Sequence, residues 1–520
     1  MGAMPTTAAG SGLGVVACGH PETARAARQV LEDGGNACDA ALAALLAACV
    51  AEPILASLGG GGFLLARPAG ARPLVYDFFV QTPGRFRDPQ DCDFARVTAD
   101  FGTATQDFHC GWGAAAVPGV VAGLFAAHAD LGHMPLRDIA APALALAKTG
   151  AVLTAFQAHV LTVVAPIVRH TPASAALFTD AEGRLLGQGD TLANPAFVDA
   201  LDALVHEGPE LFYRGEIAAA LAAECAARGG HLRREDLARY SVATRRPLEV
   251  ALPGATLYTN PPPSTGGTLI AFALELLKDQ GLERLSWGGA DHRRLLASVM
   301  EATNAARLEA RSLEDGDLDA DALLRPEFVA TYRARLAGQP RAFRGTTHIS
   351  VLDAKGGACA LSLSNGESGG CVIPGTGILL NNMLGEEDLN PQGWHAWPSG
   401  VRLSSMMAPS LLVGDDGSET ALGSGGSNRI RTALVQVLSN LVDHALPLDE
   451  AVGRPRIHAE GGRLSAEVDL PDALRAEWPE VHVWPEPDLF FGGVHVARRT
   501  ANGGLEGAAD PRRSGVALLA

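Results

Sequence analysis

The chain has 520 residues, 47% of them hydrophobic and 19% charged, a balance that fits a globular protein and excludes a disordered or fibrous one. Its net charge of −17 comes from 58 acidic and 41 basic residues, and no compact Lys/Arg run could follow a phosphate backbone, so nucleic acid is not expected as a partner. The length exceeds that of a single small core, which points to two domains or to one large layered α/β body.

Residues 1–16 are small and polar, with neither a basic start nor a sustained apolar run, so no secretory leader is read there and a cytoplasmic protein is expected. Ala24–Leu31 and Asp39–Cys49 are Ala-rich and predict helices parted at Gly34-Gly35. Ala40–Val50 is too short to cross a bilayer, and the longer uncharged runs Cys110–Ala129 and Thr149–Val168 are broken by Pro118, Gly119, Gln157 and His159. No membrane span is predicted. The glycine loop Leu58–Phe63 leads into two expected strands, Leu64–Arg67 and Leu74–Phe79.

From Pro118 to Gly230 the Ala/Leu periodicity, clearest in Pro142–Lys148, Pro195–Val205 and Glu216–Arg228, predicts a helical layer. Short strands follow at Leu248–Leu252 and Thr256–Tyr258, then the rigid loop Asn260–Gly267 and helices over Thr268–Lys278 and His292–Arg311. Asp315–Asp321 reads as an exposed acidic linker. Beyond Thr346 the pattern becomes dense alternation: His348–Leu352, a turn at Ala354-Lys355-Gly356-Gly357, and Ala358–Ser364 predict a β-hairpin. Ser410–Val413 and Val481–Val483 are further strand candidates, with a helix at Thr432–His444.

The eight cysteines form no CxxC pair, and Cys49, Cys225 and Cys359 lie in apolar segments, so buried free thiols are expected. The 15 histidines include no HExxH, and neither a metal nor a cofactor is predicted.

The segment that carries chemistry is Gly345-Thr346-Thr347-His348, where a threonine stands between an arginine-flanked loop and the start of a strand. Cutting the Gly345–Thr346 bond would give Thr346 a free α-amine beside its hydroxyl, so that one residue supplies both base and nucleophile.

Thr346-Thr347-His348 with Val351-Leu352-Asp353 resembles the processing site of the γ-glutamyltransferase family, a group of N-terminal nucleophile hydrolases. Further landmarks stand in family order: Glu52-Pro53, Pro118-Gly119, Pro135-Leu136, Gly229-Gly230, Pro261–Gly267, Gly377–Asn382, Leu403–Met406, Gly425-Gly426-Ser427 and Asp510-Pro511-Arg512. The resemblance spans nearly the whole chain. It implies an α+β fold, a four-layer αββα sandwich, in which two cleavage products, residues 1–345 and 346–520, stay intertwined.

The same resemblance implies roles. Thr346 is the nucleophile; Ser362 and Ser364 are the positions for its supporting hydroxyl, and alternation puts both on one strand face. Gly425 and Gly426 match the oxyanion-hole glycines, and Ser404 and Ser405 the pair that takes a substrate carboxylate. Asn365 is offset by one residue from the asparagine that receives the substrate amine, and Glu386 or Glu387 stands in for the family's acidic residue. The family's carboxylate-binding arginine follows an Asp-Phe pair, but here Asp77-Phe78 is followed by Phe79, which cannot make a bidentate contact.

The implied activity is cleavage of a small γ-glutamyl amide such as glutathione, or of a related N-acyl amide, through an acyl-enzyme passed to water or an amine. An acylase on the same scaffold is the alternative, and an inactive member that binds an acyl ligand is the non-enzymatic one. Gly366-Glu367-Ser368-Gly369-Gly370 also fits GxSxG, but no helix start follows Ser368, as a nucleophile elbow requires.

Overall fold

The computed structural model describes residues 4–100, 105–278, 280–310, 320–335, 346–387, 389–390 and 393–520. The chain opens with strands β1 (Thr6–Gly10) and β2 (Gly14–Cys18), then helices α1 (Pro21–Glu32) and α2 (Ala37–Ala51). Asn36 and Asp39 cap the start of α2 reciprocally, and Asp353 Oδ2 accepts the Ala37 N–H at 2.9 Å, so three side chains satisfy that helix end. All of α2 is buried, as expected of a helix that is apolar on every side.

A hairpin of β3 (Gly61–Arg67) and β4 (Leu74–Phe78) precedes the helical stretch, which includes α3 (Val120–Leu131) and α4 (Leu136–Thr149). Three strands follow, β5 (Ala243–Arg245), β6 (Leu248–Leu252) and β7 (Ala255–Thr259), then helices α5 (Thr265–Leu277) and α6 (Ala290–Glu309). The last third holds the hairpin β8 (Thr347–Asp353) and β9 (Ala358–Ser364), then β10 (Ser410–Gly414), β11 (Glu419–Gly425), α7 (Arg429–Val442), β12 (Gly493–Arg499), β13 (Leu505–Ala509) and β14 (Val516–Leu519).

These strands form two antiparallel seven-stranded sheets, ordered β14-β2-β8-β9-β3-β4-β5 and β1-β13-β12-β11-β10-β7-β6. In each sheet, strands from before residue 345 neighbour strands from after 346, so neither part owns a sheet. The first sheet's outer face, with Leu64, Ala66, Ile349 and Val351, packs under α1–α4. Its inner face, with Phe63, Leu65 and Ala360, joins the core that takes in Ala421 of β11, Phe272 of α5, Met300 of α6 and Leu434 of α7. Helix, sheet, sheet and helix layers make a four-layer αββα sandwich in one body.

The structure departs from the sequence reading in seven strands of the two large sheets, β1, β2, β5, β11, β12, β13 and β14. Most are rich in Gly and Ala, and a stretch such as ETALGSG lacks the β-branched alternation that marks a strand. Val481–Val483 is a strand but lies in a separate three-stranded sheet with Ile457–Glu460 and Arg463–Ala466. Of the expected acidic linker, residues 315–319 lie outside the described residues and Ala320–Leu323 is helical; the loop at 336–345 also lies outside them. All eight cysteines are free thiols, and all but Cys92 are buried. Among the described residues no helix is long and apolar enough to cross a membrane.

Candidate active site

Strand register builds the site. In the β8–β9 hairpin Thr347 lies opposite Leu363 and His348 opposite Ser362, and the same register sets Thr346 across from Ser364. Alternation sends Thr346, His348 and Ser350 toward the second sheet, and Thr347 to the face under the helices. Thr346 is 5% exposed. With Ser364, Glu386, Ser405 and Ser427 it forms the polar part of a pocket of about 340 Å³ whose apolar part is Phe79, Met383, Leu389, Met406, Met407 and Ile430.

The two expected supporting hydroxyls have different surroundings. Ser364 lines the pocket, and its Oγ accepts the Gly366 N–H at 3.1 Å. Ser362 lies one step further in, 2.9 Å from His348 Nδ1. Because Ser350 Oγ gives its hydrogen to His495 O at 3.1 Å, it accepts from His348 Nε2 at 2.9 Å, which leaves Nδ1 to accept from Ser362. Burial, and then His495, push the His348 pKa well below the usual range, so the ring is neutral, a structural link between sheets.

Gly425 and Gly426 end β11 just before α7. A Cβ on Gly425 would lie 2.0 Å from the Thr346 carbonyl oxygen, and one on Gly423 would lie 2.2 Å from the His348 ring, so two alternate glycines let β8 approach. Gly426 has φ +116° and packs against Gly492. From the far end of the chain, Arg513 Nη1 donates to the Thr346 carbonyl at 3.4 Å. Burial lowers the Arg513 pKa to about 10, with Glu367, Asp510, Asp488 and Glu52 opposing that shift. The segment Asp510-Pro511-Arg512 stood out in the sequence as a landmark; Asp510 braces Arg456 at 2.6 Å and Arg512 at 3.1 Å, and the next residue, Arg513, reaches the site itself.

Of the serine pair, Ser405 lines the pocket. Its carbonyl accepts from Thr265 and Gly266 N–H at 2.9 and 3.0 Å, which pins the segment to the start of α5. Ser404 lies outside the pocket lining, and its buried hydroxyl has no hydrogen-bond partner among the described residues. Asn365 is fully buried behind the pocket, with Nδ2 3.4 Å from Leu380 O. The two glutamates separate cleanly: Glu386 is 4% exposed in the pocket wall, whereas Glu387 is exposed.

Phe79 fills the place the sequence reading gave it, stacked on Phe63 with ring centroids 5.4 Å apart. A guanidinium is nearby but committed: Arg402 donates to Phe79 O, to Tyr240 Oη and to Ser241 O, and its Nε lies 3.6 Å from Asp77 Oδ1. Among the described residues the pocket lining contains no Arg, Lys or His. The sequence reading marked Met406 and Ser427 within its motifs but gave neither a role in the site, and it missed Met407, which adjoins one of them; Met383 and Leu389 carry no signal of their own.

Ser368 has φ +72°, is buried, and accepts the Gly370 N–H at 3.3 Å, with no helix following it. Among the described residues Cys92, His231 and His395 bring possible metal-ligand atoms within 4.8 Å of one another. His231 Nδ1 accepts the Arg87 N–H at 3.0 Å, so its hydrogen sits on Nε2, the atom facing Cys92 Sγ at 3.8 Å, and that nitrogen has no lone pair for a metal.

A family model described as gamma-glutamyltranspeptidase matches residues 23–520. The chain is 32% identical to an acylase ACY 1 proenzyme of Pseudomonas sp. (strain V22), over 96% of this chain and 92% of that one. It is 30% identical to a glutathione hydrolase proenzyme of Escherichia coli (strain K12), over 96% and 90%. A solved cephalosporin acylase from Bacillus halodurans shares the fold with a TM-score of 0.85 at 23% identity, over 99% of this chain and 97% of that one.

Proposed function

Because the chain belongs to the gamma-glutamyltranspeptidase family, we propose that it is a self-cleaving threonine amidohydrolase whose precursor is cut between Gly345 and Thr346 into intertwined parts, 1–345 and 346–520. The observation that carries this reading is a buried threonine at a strand start, opposite Ser364, with Gly425 against its carbonyl and a pocket in front of it.

An α-amine titrates near neutrality, at about 8, and can take the proton of its own hydroxyl. Thr346 Oγ1 attacks the acyl carbonyl of the substrate amide, and backbone N–H groups at Gly425-Gly426 face the oxygen that becomes negative. The amine leaves with a proton, and Thr346 holds the acyl group as an ester. Water, or an amine acceptor, attacks that ester and restores the free hydroxyl. Ser364 holds the hydroxyl in line, Ser405 offers a hydrogen bond to the acyl group, and Glu386 supplies an anionic wall. Ser362, Ser404 and Asn365 support this site from behind its lining.

For the acyl group, γ-glutamyl is the family reading, with glutathione as an example. Phe79 in place of the arginine favours a second reading, an acylase for an N-acyl amide whose acyl group lacks an α-carboxylate, because among the described residues no cation lines the pocket to receive one.

N-terminal sequencing and intact mass of the purified protein should return two chains, the second starting at Thr346, and Thr346→Ala should remain whole and lose at least about 10⁴-fold in turnover. A panel of γ-glutamyl amides and uncharged N-acyl amides then separates the two substrate readings. Full activity in the uncut chain or in Thr346→Ala would overturn the mechanism, and acyl binding without turnover would make the protein a binder.

A further inference from the structure

On the helix side of β8, away from the pocket, lies a carboxylate that the chemistry above leaves unused. Glu52 caps the C-terminal end of α2 and is 3% exposed. Its Oε2 accepts from Thr347 Oγ1 at 2.9 Å, and its Oε1 from Thr23 Oγ1 at 3.0 Å. Gly19 lets this cluster close: a Cβ there would lie 3.0 Å from Glu52 Oε2, 3.1 Å from Thr347 Oγ1 and 3.6 Å from His495 Nε2. Cys18 and Cys49 also approach, and burial keeps both as neutral thiols. Burial raises the Glu52 pKa to about 7, against the pull of Thr347, Thr23 and the Arg513 charge.

Thr347 is the residue next to the nucleophile. Once the bond before Thr346 is cut, Thr346 is tethered through a single peptide unit, and rotation about the Thr347 N–Cα bond would swing that unit, and with it the amine and hydroxyl of Thr346, out of line. Were that rotation free, the chain would have to be ordered again at each turnover. The peptide unit between Thr346 and Thr347 is gripped from two sides: Arg513 holds the Thr346 carbonyl at 3.4 Å, and Glu52 holds the Thr347 hydroxyl. Above about pH 7, where Glu52 is ionised, these two grips carry opposite charge and attract one another.

We infer that Glu52 is a positioning residue of the nucleophile: acting through Thr347 and opposite Arg513, it holds the peptide unit from which the amino-terminal threonine hangs. The inference rests on Thr346 being that terminal nucleophile. Glu52 touches no substrate, so its contribution belongs in kcat and not in KM.

The test uses the full-length, self-processed protein with Glu52→Gln, Thr347→Val, their double variant and Thr347→Ser. Glu52→Gln and Thr347→Val should each still be cleaved before Thr346, lower kcat roughly tenfold or more, and leave KM within about twofold. The double variant should be no slower than Thr347→Val alone, because Glu52 acts through the hydroxyl that Thr347→Val removes. Thr347→Ser keeps the hydroxyl and should restore kcat. Unchanged kcat in folded Glu52→Gln, fully multiplicative losses in the double variant, or a Thr347→Ser as slow as Thr347→Val would overturn the inference. Should Glu52→Gln fail to fold, the Thr347 pair decides alone. Activity surviving Thr346→Ala would instead sink the underlying mechanism, a distinct result.

Discussion

The Thr346 end of the pocket and its far wall are made of different material. At the Thr346 end, Thr346 and Ser364 are set by the register of a hairpin, and Gly425 meets the Thr346 carbonyl backbone to backbone. The far wall is assembled from the side chains Phe79, Met383, Leu389, Met406, Met407 and Ile430, which come from separate segments. Backbone placement is difficult to alter without moving a sheet, whereas one wall side chain can be exchanged and leave the ladder intact. The reaction type thus belongs to the fold, and the choice of acyl group to a few replaceable side chains.

This contrast is strongest where charge supports the rigid end. Although burial works against it, Arg456 and then Arg512 hold the Asp510 carboxyl far below its usual range, beside the Arg513 that reaches Thr346. A depressed carboxyl contributes stability that is present above its unfolded pKa, near 4, and is lost as pH falls further. Asp510→Asn should therefore cost roughly 3–5 kcal/mol in denaturant unfolding at pH 7, by leaving buried guanidinium groups uncompensated, and should flatten the acid limb of the stability curve. An unchanged midpoint would mean that this end is not held by charge.

Next in size, Gly425→Ala would place a methyl 2.0 Å from the Thr346 oxygen, in backbone that cannot yield. A loss of about 10²–10³-fold in kcat is expected, comparable to removing an oxyanion donor; a change of only a few fold in steady-state kinetics would show that the rigid end gives way. The smallest effect is expected at the far wall. Phe79→Arg should shift relative kcat/KM toward carboxylate-bearing acyl groups by roughly tenfold, about 1.4 kcal/mol, while the uncut-to-cut ratio of the chains stays the same. If the preference does not move, the wall is not what selects the acyl group.

Much of this was legible before any coordinates, because strands and helices follow short-range periodicity. The hairpin at 347–364 declares itself by alternation around a glycine turn, which puts Ser362 and Ser364 on one face, and the structure's register then sets Ser364 opposite Thr346. The all-buried helix α2 is equally plain. The strand β11 escaped notice for a reason tied to the site: Gly423 and Gly425 are there because His348 and the Thr346 carbonyl come too close for any side chain, and those glycines erase the pattern that marks a strand.

The sequence by itself determined the family and carried the proposals for Thr346 as nucleophile, for the glycine pair and for Phe79 in place of an arginine. Only the tertiary structure decided that Glu386 and not Glu387 enters the pocket, that Ser362 serves His348, that Arg402 is spent behind Phe79, and that Arg513 meets a carbonyl 167 residues away. Periodicity fixes which face of its own element a side chain takes; which distant side chain it then meets depends on how four layers pack, and no local pattern encodes that.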